Sequence, residues 1–417
     1  MTIFDTLESE VRSYCRGWPT TFTTAKGSVL YDEQGRQYLD FFAGAGSLNY
    51  GHNHPVLKQA LVDYLTGDGI THSLDMHTVA KRDLLQAIQD VVLRPRGLDY
   101  KVQFPGPTGA NSVEAALKLA RKVTGRETVL SFTNAFHGMS LGALAVTGNS
   151  MKRRGAGVPL QYAMPIPYDD YLDGRTPDFL WLNALLSDSG SGLDTPAAII
   201  VETVQGEGGV NVARFEWLRG LAEVCRRHDI LLIVDDIQVG CGRTGPFFSF
   251  EPAGITPDIV CLSKSLSGYG LPLSLTLFRP DLDVWEPGEH NGTFRGHNPA
   301  FVTATAALRE FWQDDRLQQR VAAVAERIAA RLDELVAAHR AVGISRRGRG
   351  MIWGLACEDP GLAAKVCAAA FDRGLLLETS GPLGEVVKLM PPLTISDEEL
   401  DAGLAILAES LVAAQSA

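Results

Sequence analysis

The sequence contains few cysteines, and they form no pattern that would bind zinc. Its six cysteines lie far apart, with no Cys-x-x-Cys pair and no histidine at a ligand-like spacing. Scattered cysteines of this kind are typical of reduced thiols rather than of disulfide bonds or metal sites. We therefore expect no metal and a cytoplasmic location.

Long apolar runs and basic stretches are also missing. No apolar run approaches the length that crosses a bilayer, so no membrane partner is expected. The opening residues, MTIFDTLESEVRSYCR, carry acids early and lack an apolar core, which argues against a signal peptide. The formal net charge of −11 argues against nucleic acid as a partner, because proteins that bind phosphate backbones usually carry a basic face.

Short apolar runs alternate with helical patterns between about residues 56 and 305. The runs are continuously apolar rather than alternating, which predicts strands buried on both faces of a mainly parallel sheet. VEAALKLARKV (113–123) is the clearest helix between them. The fold class predicted is therefore α/β. The runs are KVQFP (101–105), TVLSF (128–132), AAIIVE (197–202), ILLIVD (230–235), IVCLS (259–263) and SLTLF (274–278).

The two ends of the chain have a different character. The first 50 residues predict a short helix and a strand pair that turns at Asp32–Gly35. Near the C-terminus, an apolar repeat from Leu317 to Leu335 predicts a long helix, and the strands MIWGLA, GLLLET and VVKLMPPL follow. Ser396 and Glu399 predict a capping box for a last helix. The predicted parts are an N-terminal segment (1–50) packing with the small domain, a large domain (51–305) and a small α/β domain (306–417).

Polar or glycine-rich stretches follow several predicted strands. GPTGANSVEAALKLAR (106–121) joins a glycine-rich turn to the start of a helix, where backbone N–H groups and the helix dipole favour an anion. Taken alone, this stretch could equally be an ordinary turn between a strand and a helix. The others are NAFHGMSLGAL (134–144), VETVQGEGGVN (201–211), ILLIVDDIQVGCGRTG (230–245), IVCLSKSLSGYGLPLS (259–274) and EHNGTFRGHNPA (289–300).

Three side chains in these stretches stand at the end of a predicted buried strand or a few residues after it. Lys264 is either a solvated loop lysine or an amine with a chemical role. Asp235 either faces water or meets a cation, because a buried carboxylate without one costs several kcal/mol. Phe136, beside His137, either packs in the core or stacks on a flat ligand.

The combination of these features favours one cofactor. The carboxyl ends of strands are where open α/β sheets bind ligands. A phosphate cradle, an aromatic, a carboxylate and a lysine there match pyridoxal 5′-phosphate (PLP), which carries a phosphate, a flat ring with a basic nitrogen and an aldehyde. GCGRTG (240–245) formally matches the dinucleotide fingerprint, but no helical pattern follows it, so that interpretation is rejected.

The chain resembles the class III, fold-type I PLP-dependent aminotransferases over nearly all of its length. The resemblance depends chiefly on VDDIQVGCGRTG followed by the lysine of CLSKSLSGYGLPLS. It implies that Lys264 forms the Schiff base and moves a proton, and that Asp235 pairs with the ring nitrogen. Thr293 would contact the phosphate in a neighbouring subunit, so a homodimer, possibly within a higher oligomer, is expected. The other implied cofactor contacts are Gly109, Ala110, Phe136, His137, Glu202 and Gln238.

Three further stretches narrow the expected reaction. FDTLESEVRSYCR, LDFFAGAGSLNYGHNHP and DGITHSLDMHTVAKR resemble family members that move an amino group from L-glutamate to L-aspartate 4-semialdehyde. Within the family, the alternatives are ω-aminotransferases acting on ornithine, GABA or putrescine, and glutamate semialdehyde aminomutases. From another class, a non-catalytic sensor built on the same fold is disfavoured because Lys264 and Asp235 are both present.

The resemblance also implies substrate contacts, at Trp18, Glu207 and Lys388. Two positions depart from the family. Met139 stands where relatives acting on ω-amines often carry an arginine for a substrate carboxylate. Lys388 stands where relatives carry an arginine that partners the glutamate of the QGE sequence, and a lysine offers a point charge instead of a fork. We expect Lys388 to bind the α-carboxylate of glutamate and to pair with Glu207 when the semialdehyde is bound.

Overall fold

The computed structural model describes residues 2–176 and 178–416. The helices are α1 (Ile3–Leu7), α2 (Tyr14–Gly17), α3 (Ala43–Gly46), α4 (Pro55–Thr66), α5 (Val79–Ala87), α6 (Gly109–Thr124), α7 (Leu141–Ala145), α8 (Ser150–Arg153), α9 (Leu180–Ser187), α10 (Phe215–Arg227), α11 (Asn298–Phe311), α12 (Arg316–Ala338), α13 (Pro360–Asp372) and α14 (Asp397–Ser416). The strands are β1 (Phe22–Lys26), β2 (Val29–Asp32), β3 (Gln37–Asp40), β4 (Lys101–Gln103), β5 (Val129–Phe132), β6 (Ala163–Ile166), β7 (Ala198–Val201), β8 (Val204–Gln205), β9 (Asn211–Val212), β10 (Leu231–Asp235), β11 (Ile259–Leu262), β12 (Leu275–Phe278), β13 (Ile344–Arg349), β14 (Ile352–Cys357), β15 (Leu375–Leu376), β16 (Glu378–Ser380) and β17 (Val386–Leu389).

A seven-stranded sheet in the order β4-β12-β11-β10-β7-β5-β6 lies at the centre of the fold. Strands β11, β10, β7, β5 and β6 run parallel, whereas β12 runs antiparallel to both β11 and β4. The predicted mainly parallel sheet is confirmed, and each of the six apolar runs contains one of its strands. Strand β6 was not predicted, because it is a partly exposed edge strand interrupted by Pro165.

Both faces of the central sheet are covered, as the continuous apolar runs predict. Along β10, Leu231 and Ile233 pack into one buried cluster with helix α6. Leu232 and Val234 point to the other face and pack into a larger cluster that includes α10. Alternate residues of a strand point to opposite faces, so a strand covered on both sides must be apolar throughout.

The ends of the chain meet in a second sheet, of order β1-β2-β3-β15. Its last pair joins Leu39 of the N-terminal region to Leu375 near the C-terminus, in parallel. A third sheet, β13-β14-β17-β16, is built from the C-terminal residues and packs with α12 and α13.

Several local predictions are also confirmed. The predicted long helix is α12, and the helix 113–123 lies inside α6. At the start of α14, Ser396 Oγ accepts from the Glu399 backbone N–H at 3.1 Å, and Glu399 Oε2 accepts from the Ser396 N–H at 3.1 Å, which is the predicted capping box. GCGRTG forms turns that no α-helix follows directly. Among the described helices, none is long and apolar enough to cross a membrane.

Candidate active site

The carboxyl ends of the central strands and the start of α6 surround a cavity of about 190 Å³. Strand β10 ends there at Asp235, and Lys264 begins a short 3-10 turn just after β11. Helix α6 begins there at Gly109. The predicted site residues that line the cavity are Gly109, Ala110, Phe136, His137, Glu202, Glu207, Asp235, Gln238 and Lys264.

Asp235 is buried and forms its main contact with a histidine. His137 Nδ1 lies 2.7 Å from Asp235 Oδ2, and the imidazole side chain is fully buried. Burial lowers the pKa of His137, but the hydrogen bond and charge of Asp235 outweigh this effect and raise the pKa overall. The other carboxylate oxygen, Oδ1, accepts from the Ile237 N–H at 3.2 Å. These two contacts hold the Asp235 carboxylate in a fixed position at the cavity wall.

Lys264 has a strained backbone and a buried amine. Its φ of 48° lies in the left-handed region, which is uncommon and strained for a residue with a long side chain. Its Nζ donates to the carbonyl oxygen of Ala45 at 2.8 Å. Burial lowers the pKa of Lys264, with Glu207 opposing and Lys388 adding to the effect. A lower pKa leaves more of the amine deprotonated near neutral pH, and only the free amine can attack a carbonyl or accept a proton.

Phe136 and Glu202 are hydrogen-bonded to each other at the wall of the cavity. Glu202 Oε2 accepts from the Phe136 backbone N–H at 3.0 Å. Burial raises the pKa of Glu202 to about 8, against the opposing charge of His137. Lys152, from α8, lies over the Phe136 ring with its Nζ 4.1 Å from the centroid.

Gln238 and Glu207 connect the cavity to a buried group of charges. Gln238 Nε2 donates to Ala45 O at 3.0 Å and to Glu207 Oε1 at 3.1 Å. Lys388 Nζ donates to Glu207 Oε1 at 2.7 Å, and its side chain is fully buried. The same ammonium lies 2.8 Å from Glu378 Oε1. Lys388 therefore lies between two carboxylates, those of Glu207 and Glu378.

Of the three predicted site residues that do not line the cavity, Lys388 contacts Glu207 in its wall, whereas Thr293 and Trp18 lie apart from it. Thr293 is exposed, and its backbone oxygen is 2.6 Å from His72 Nε2. Trp18 packs against Phe42, with ring centroids 4.9 Å apart, and lines a different cavity of about 430 Å³ that Glu378 also lines.

Sequence reasoning missed the carbonyl of Ala45 and the carboxylate of Glu378. A backbone oxygen leaves no signal in a sequence, although Ala45 lies in the LDFFAGAGSLNYGHNHP stretch used above. Glu378 is the next-to-last residue of the predicted strand GLLLET, where its acid after three leucines was the available signal. It resembles Asp235 in this respect, because a carboxylate in an apolar strand needs a cation.

The cavity fits a flat cofactor that carries a phosphate. A Cβ on Gly109 would come within 2.9 Å of the Ile237 side chain, and one on Gly138 within 2.9 Å of Ala110 Cβ, so glycines keep this end of α6 free of side chains. Exposed backbone N–H groups at a helix start bind anions. Gln238 Oε1 is buried without a donor. The described residues contain no cluster of three or more His, Cys, Asp or Glu side chains that could hold a metal.

Comparison with known proteins defines the class first. The family model for class III aminotransferases matches residues 15–411, and the chain belongs to that family, as predicted. The diaminobutyrate–2-oxoglutarate transaminase of Nocardia farcinica is 68% identical over 405 residues, covering 97% of this chain and 92% of the relative. That of Streptomyces avermitilis is 64% identical over 412 residues, covering 99% and 97%. Ornithine aminotransferase from Toxoplasma gondii, solved with partial PLP occupancy at its active site, aligns with a TM-score of 0.85 at 29% identity, covering 99% of this chain and 94% of that structure.

Proposed function

We propose that this chain is a PLP-dependent transaminase that moves an amino group from L-glutamate to L-aspartate 4-semialdehyde. The products are 2-oxoglutarate and L-2,4-diaminobutyrate, formed in two half-reactions at one site. The observation that carries the proposal is the meeting of Lys264, Asp235 and the start of α6 in one cavity. The choice of substrates is supported by relatives that are 64% and 68% identical and bear the name of this reaction.

The chain offers a distinct residue for each part of the cofactor. When bound, PLP supplies an aldehyde that exchanges amines and a ring that withdraws electrons from the reacting carbon. Gly109 and Ala110, at the start of α6, would hold the phosphate. Asp235 would keep the ring nitrogen protonated, since a carboxylate beside a basic nitrogen favours its charged form. Phe136 would cover one face of the ring, and Gln238 would bind its phenolic oxygen.

Lys264 would act as both covalent anchor and proton carrier. Because burial lowers its pKa, the free amine is available at a higher fraction than in a solvated lysine. The same amine can take a proton from the reacting carbon of glutamate. Proton transfer by a positioned group of this kind is worth roughly 10²–10⁴ in rate.

Lys388 and Glu207 would adapt the pocket to two different substrates. Glutamate carries its α-carboxylate beside the reacting carbon, whereas the semialdehyde carries none there. Lys388 would bind the α-carboxylate in the first half-reaction and pair with Glu207 in the second. The 2.7 Å contact between Lys388 and Glu207 supports the second arrangement.

The wider setting is part of the same proposal. We propose a homodimer, possibly within a larger oligomer, in which Thr293 of one subunit reaches the phosphate site of the other. The proposed compartment is the cytoplasm, and the proposed role is ectoine biosynthesis under osmotic stress. The proposed division remains an N-terminal segment (1–50) packing with the small domain (306–417), and a large domain (51–305), supported by the pairing of β3 with β15.

A screen of amino acceptors with glutamate as the donor tests the reaction. Aspartate 4-semialdehyde should be the best acceptor by kcat/KM, ahead of the semialdehydes that correspond to ornithine, GABA and putrescine. In the reverse direction, consumption of diaminobutyrate should require 2-oxoglutarate. Preference for another acceptor would assign another ω-aminotransferase activity, and turnover without a keto acid would indicate an aminomutase.

A further inference from the structure

Lys388 has two carboxylate partners, and they are held in different ways. Glu378 lies directly opposite Lys388 in the antiparallel pair β16–β17. On the other side, Lys388 pairs with Gly354 of β14, which has no side chain to offer. Residues directly opposite in a sheet keep their Cβ atoms about 4.5–5.5 Å apart, so the sheet itself holds Glu378 beside Lys388.

Glu207 reaches the same ammonium from another part of the fold. It belongs to the connection between β8 and β9, it lines the cavity, and its side chain is 18% exposed, against 7% for Glu378. Its other side-chain contact is with Gln238. A rotation of the Glu207 side chain is therefore enough to release Lys388, whereas Glu378 stays in place.

A lysine in this position needs a permanent counter-ion. Its side chain is fully buried, and burial lowers the pKa of an amine that has no nearby anion. An arginine would remain charged in the same place, because its pKa lies above 12. When Glu207 turns away to admit a substrate carboxylate, Glu378 is the remaining carboxylate within 4 Å of Lys388 among the described residues.

The neighbouring charges agree with this arrangement. Burial raises the pKa of Glu378, Lys388 lowers it, and the charge of Glu207 raises it further. Among its neighbours, the charge of Lys388 is the strongest influence in favour of the ionised form of Glu378. The other titratable groups that interact with these acids or with Lys388 are Tyr14, Glu202, Lys264 and Cys367.

We propose that Glu378 is a positioning residue, the fixed counter-ion that keeps Lys388 charged and in place while Glu207 exchanges with a substrate carboxylate. The inference rests on the proposed function, since it concerns the α-carboxylate of glutamate. It predicts that Glu378 acts in the glutamate half-reaction and has little influence on amination of the semialdehyde, in which Glu207 itself pairs with Lys388.

Rapid-mixing measurements on the holoenzyme test the role of Glu378 separately in each half-reaction. In Glu378→Gln, kcat/KM for glutamate should fall steeply above neutral pH, by roughly tenfold for each pH unit beyond the pKa of Lys388. The semialdehyde half-reaction should change little, because Glu207 itself pairs with Lys388 there. Adding Lys388→Arg to Glu378→Gln should restore the glutamate half-reaction at alkaline pH, because a guanidinium keeps its proton without help.

Calorimetry supplies a readout that does not depend on turnover. Glutarate, a dicarboxylate without an amino group, is titrated into the holoenzyme in two buffers of different ionisation enthalpy. Binding to Glu378→Gln at alkaline pH should take up a proton, whereas wild-type binding should take up none at Lys388. Glu385→Gln is the matched control, because Glu385 lies on the same hairpin and accepts from the Leu383 backbone N–H.

Equal losses in both half-reactions, or no rescue by arginine, would overturn the proposal and leave Glu378 a structural residue. If Glu378→Gln does not fold, the wild-type protein still decides, because loss of glutarate binding near neutral pH would contradict a permanently charged Lys388. Failure of the proposed function is separate, since it would appear as a wild-type preference for other substrates in the acceptor screen.

Discussion

At the scale of single residues, burial and the nearest charges set the chemistry of the cavity. Asp235 and Lys264 both lie at the ends of apolar strands, yet their environments differ. Asp235 is held by His137 at 2.7 Å, whereas the amine of Lys264 donates to the Ala45 carbonyl. The first arrangement stabilises a charge, and the second leaves an amine ready to react.

Lys264→Ala should abolish amino transfer while the protein folds and retains PLP without a covalent bond. The amine is the only part of Lys264 with a chemical role, and the start of α6, which would hold the phosphate, is formed by other residues. Absorbance spectra and cofactor content after dialysis measure retention, with Lys101→Ala, an exposed lysine of β4, as the control. Near-normal turnover in Lys264→Ala would rule out its assigned role.

Glu202→Gln should flatten the pH dependence of stability. Burial raises the pKa of Glu202 to about 8, above its ordinary value near 4.5, so the folded protein binds this proton more tightly than the unfolded chain. Stability from this group is therefore fully present below pH 4.5 and is lost as the pH rises through about 8, by at most about 1.4 kcal/mol per pH unit.

Urea unfolding of the cofactor-free protein at pH 5.5 and 8.5 measures this effect. The decline in the free energy of unfolding between the two pH values should be smaller in Glu202→Gln than in the wild type. Glu33→Gln, at an exposed turn, should decline as the wild type does. If the free energy of unfolding declines equally in Glu202→Gln and in the wild type, the Glu202 carboxyl of the wild type titrates as an ordinary acid.

At the scale of elements, the proposed exchange of Glu207 for a substrate carboxylate at Lys388 depends on where the two residues lie. Lys388 belongs to a strand, whereas Glu207 belongs to a connection between strands. Lys388 lies inside β17, hydrogen-bonded between β14 and β16, so its backbone position is constrained. Glu207 lies between the two-residue strands β8 and β9. A rigid cation and a movable anion are what a site needs to accept a carboxylate in one half-reaction and exclude one in the other.

Lys388→Ala and Glu207→Ala should therefore damage different half-reactions. Lys388→Ala should raise the KM for glutamate and cost roughly 1.5–3 kcal/mol in that half-reaction, as for a lost charge-assisted hydrogen bond. Glu207→Ala should leave the glutamate half-reaction fast and slow amination of the semialdehyde, because Lys388 then faces the substrate without this partner. Single-turnover rates of both half-reactions decide, and equal losses in both would mean that the pair is structural.

At the scale of the whole molecule, one chain does not complete the expected site. Thr293 is exposed and lies apart from the cavity to which the family resemblance assigns it. The short 3-10 turn Thr293–Gly296 precedes α11 on the surface of the described chain. A second subunit is the arrangement that would bring Thr293 to a phosphate.

Subunit mixing should reveal a site shared between two chains. Thr293→Ala and Lys264→Ala homodimers should each have low activity. In a mixed dimer, one site would carry both lesions and the other neither, so exchange should restore part of the activity. Mass spectrometry confirms that mixed dimers form, and their failure to regain activity would place Thr293 outside a shared site.

The sequence by itself determined the fold class and the positions of the central strands, because a strand buried on both faces must be apolar along its whole length. It also marked Asp235 and Lys264, since a charge at the end of such a strand is costly without a partner or a purpose. The capping box and the long helix α12 were predictable because each depends on residues only a few positions apart in the chain.

Only the tertiary structure decided which groups meet. His137 and Asp235 are 98 residues apart in the chain, and Lys264 and Ala45 are 219 apart, so no local pattern relates them. The register that sets Glu378 opposite Lys388 depends on how β16 pairs with β17, and a shift of one residue would turn the acid to the other face. The physical reason is the same in each case: local periodicity records which side chains are buried, whereas packing decides what they are buried against.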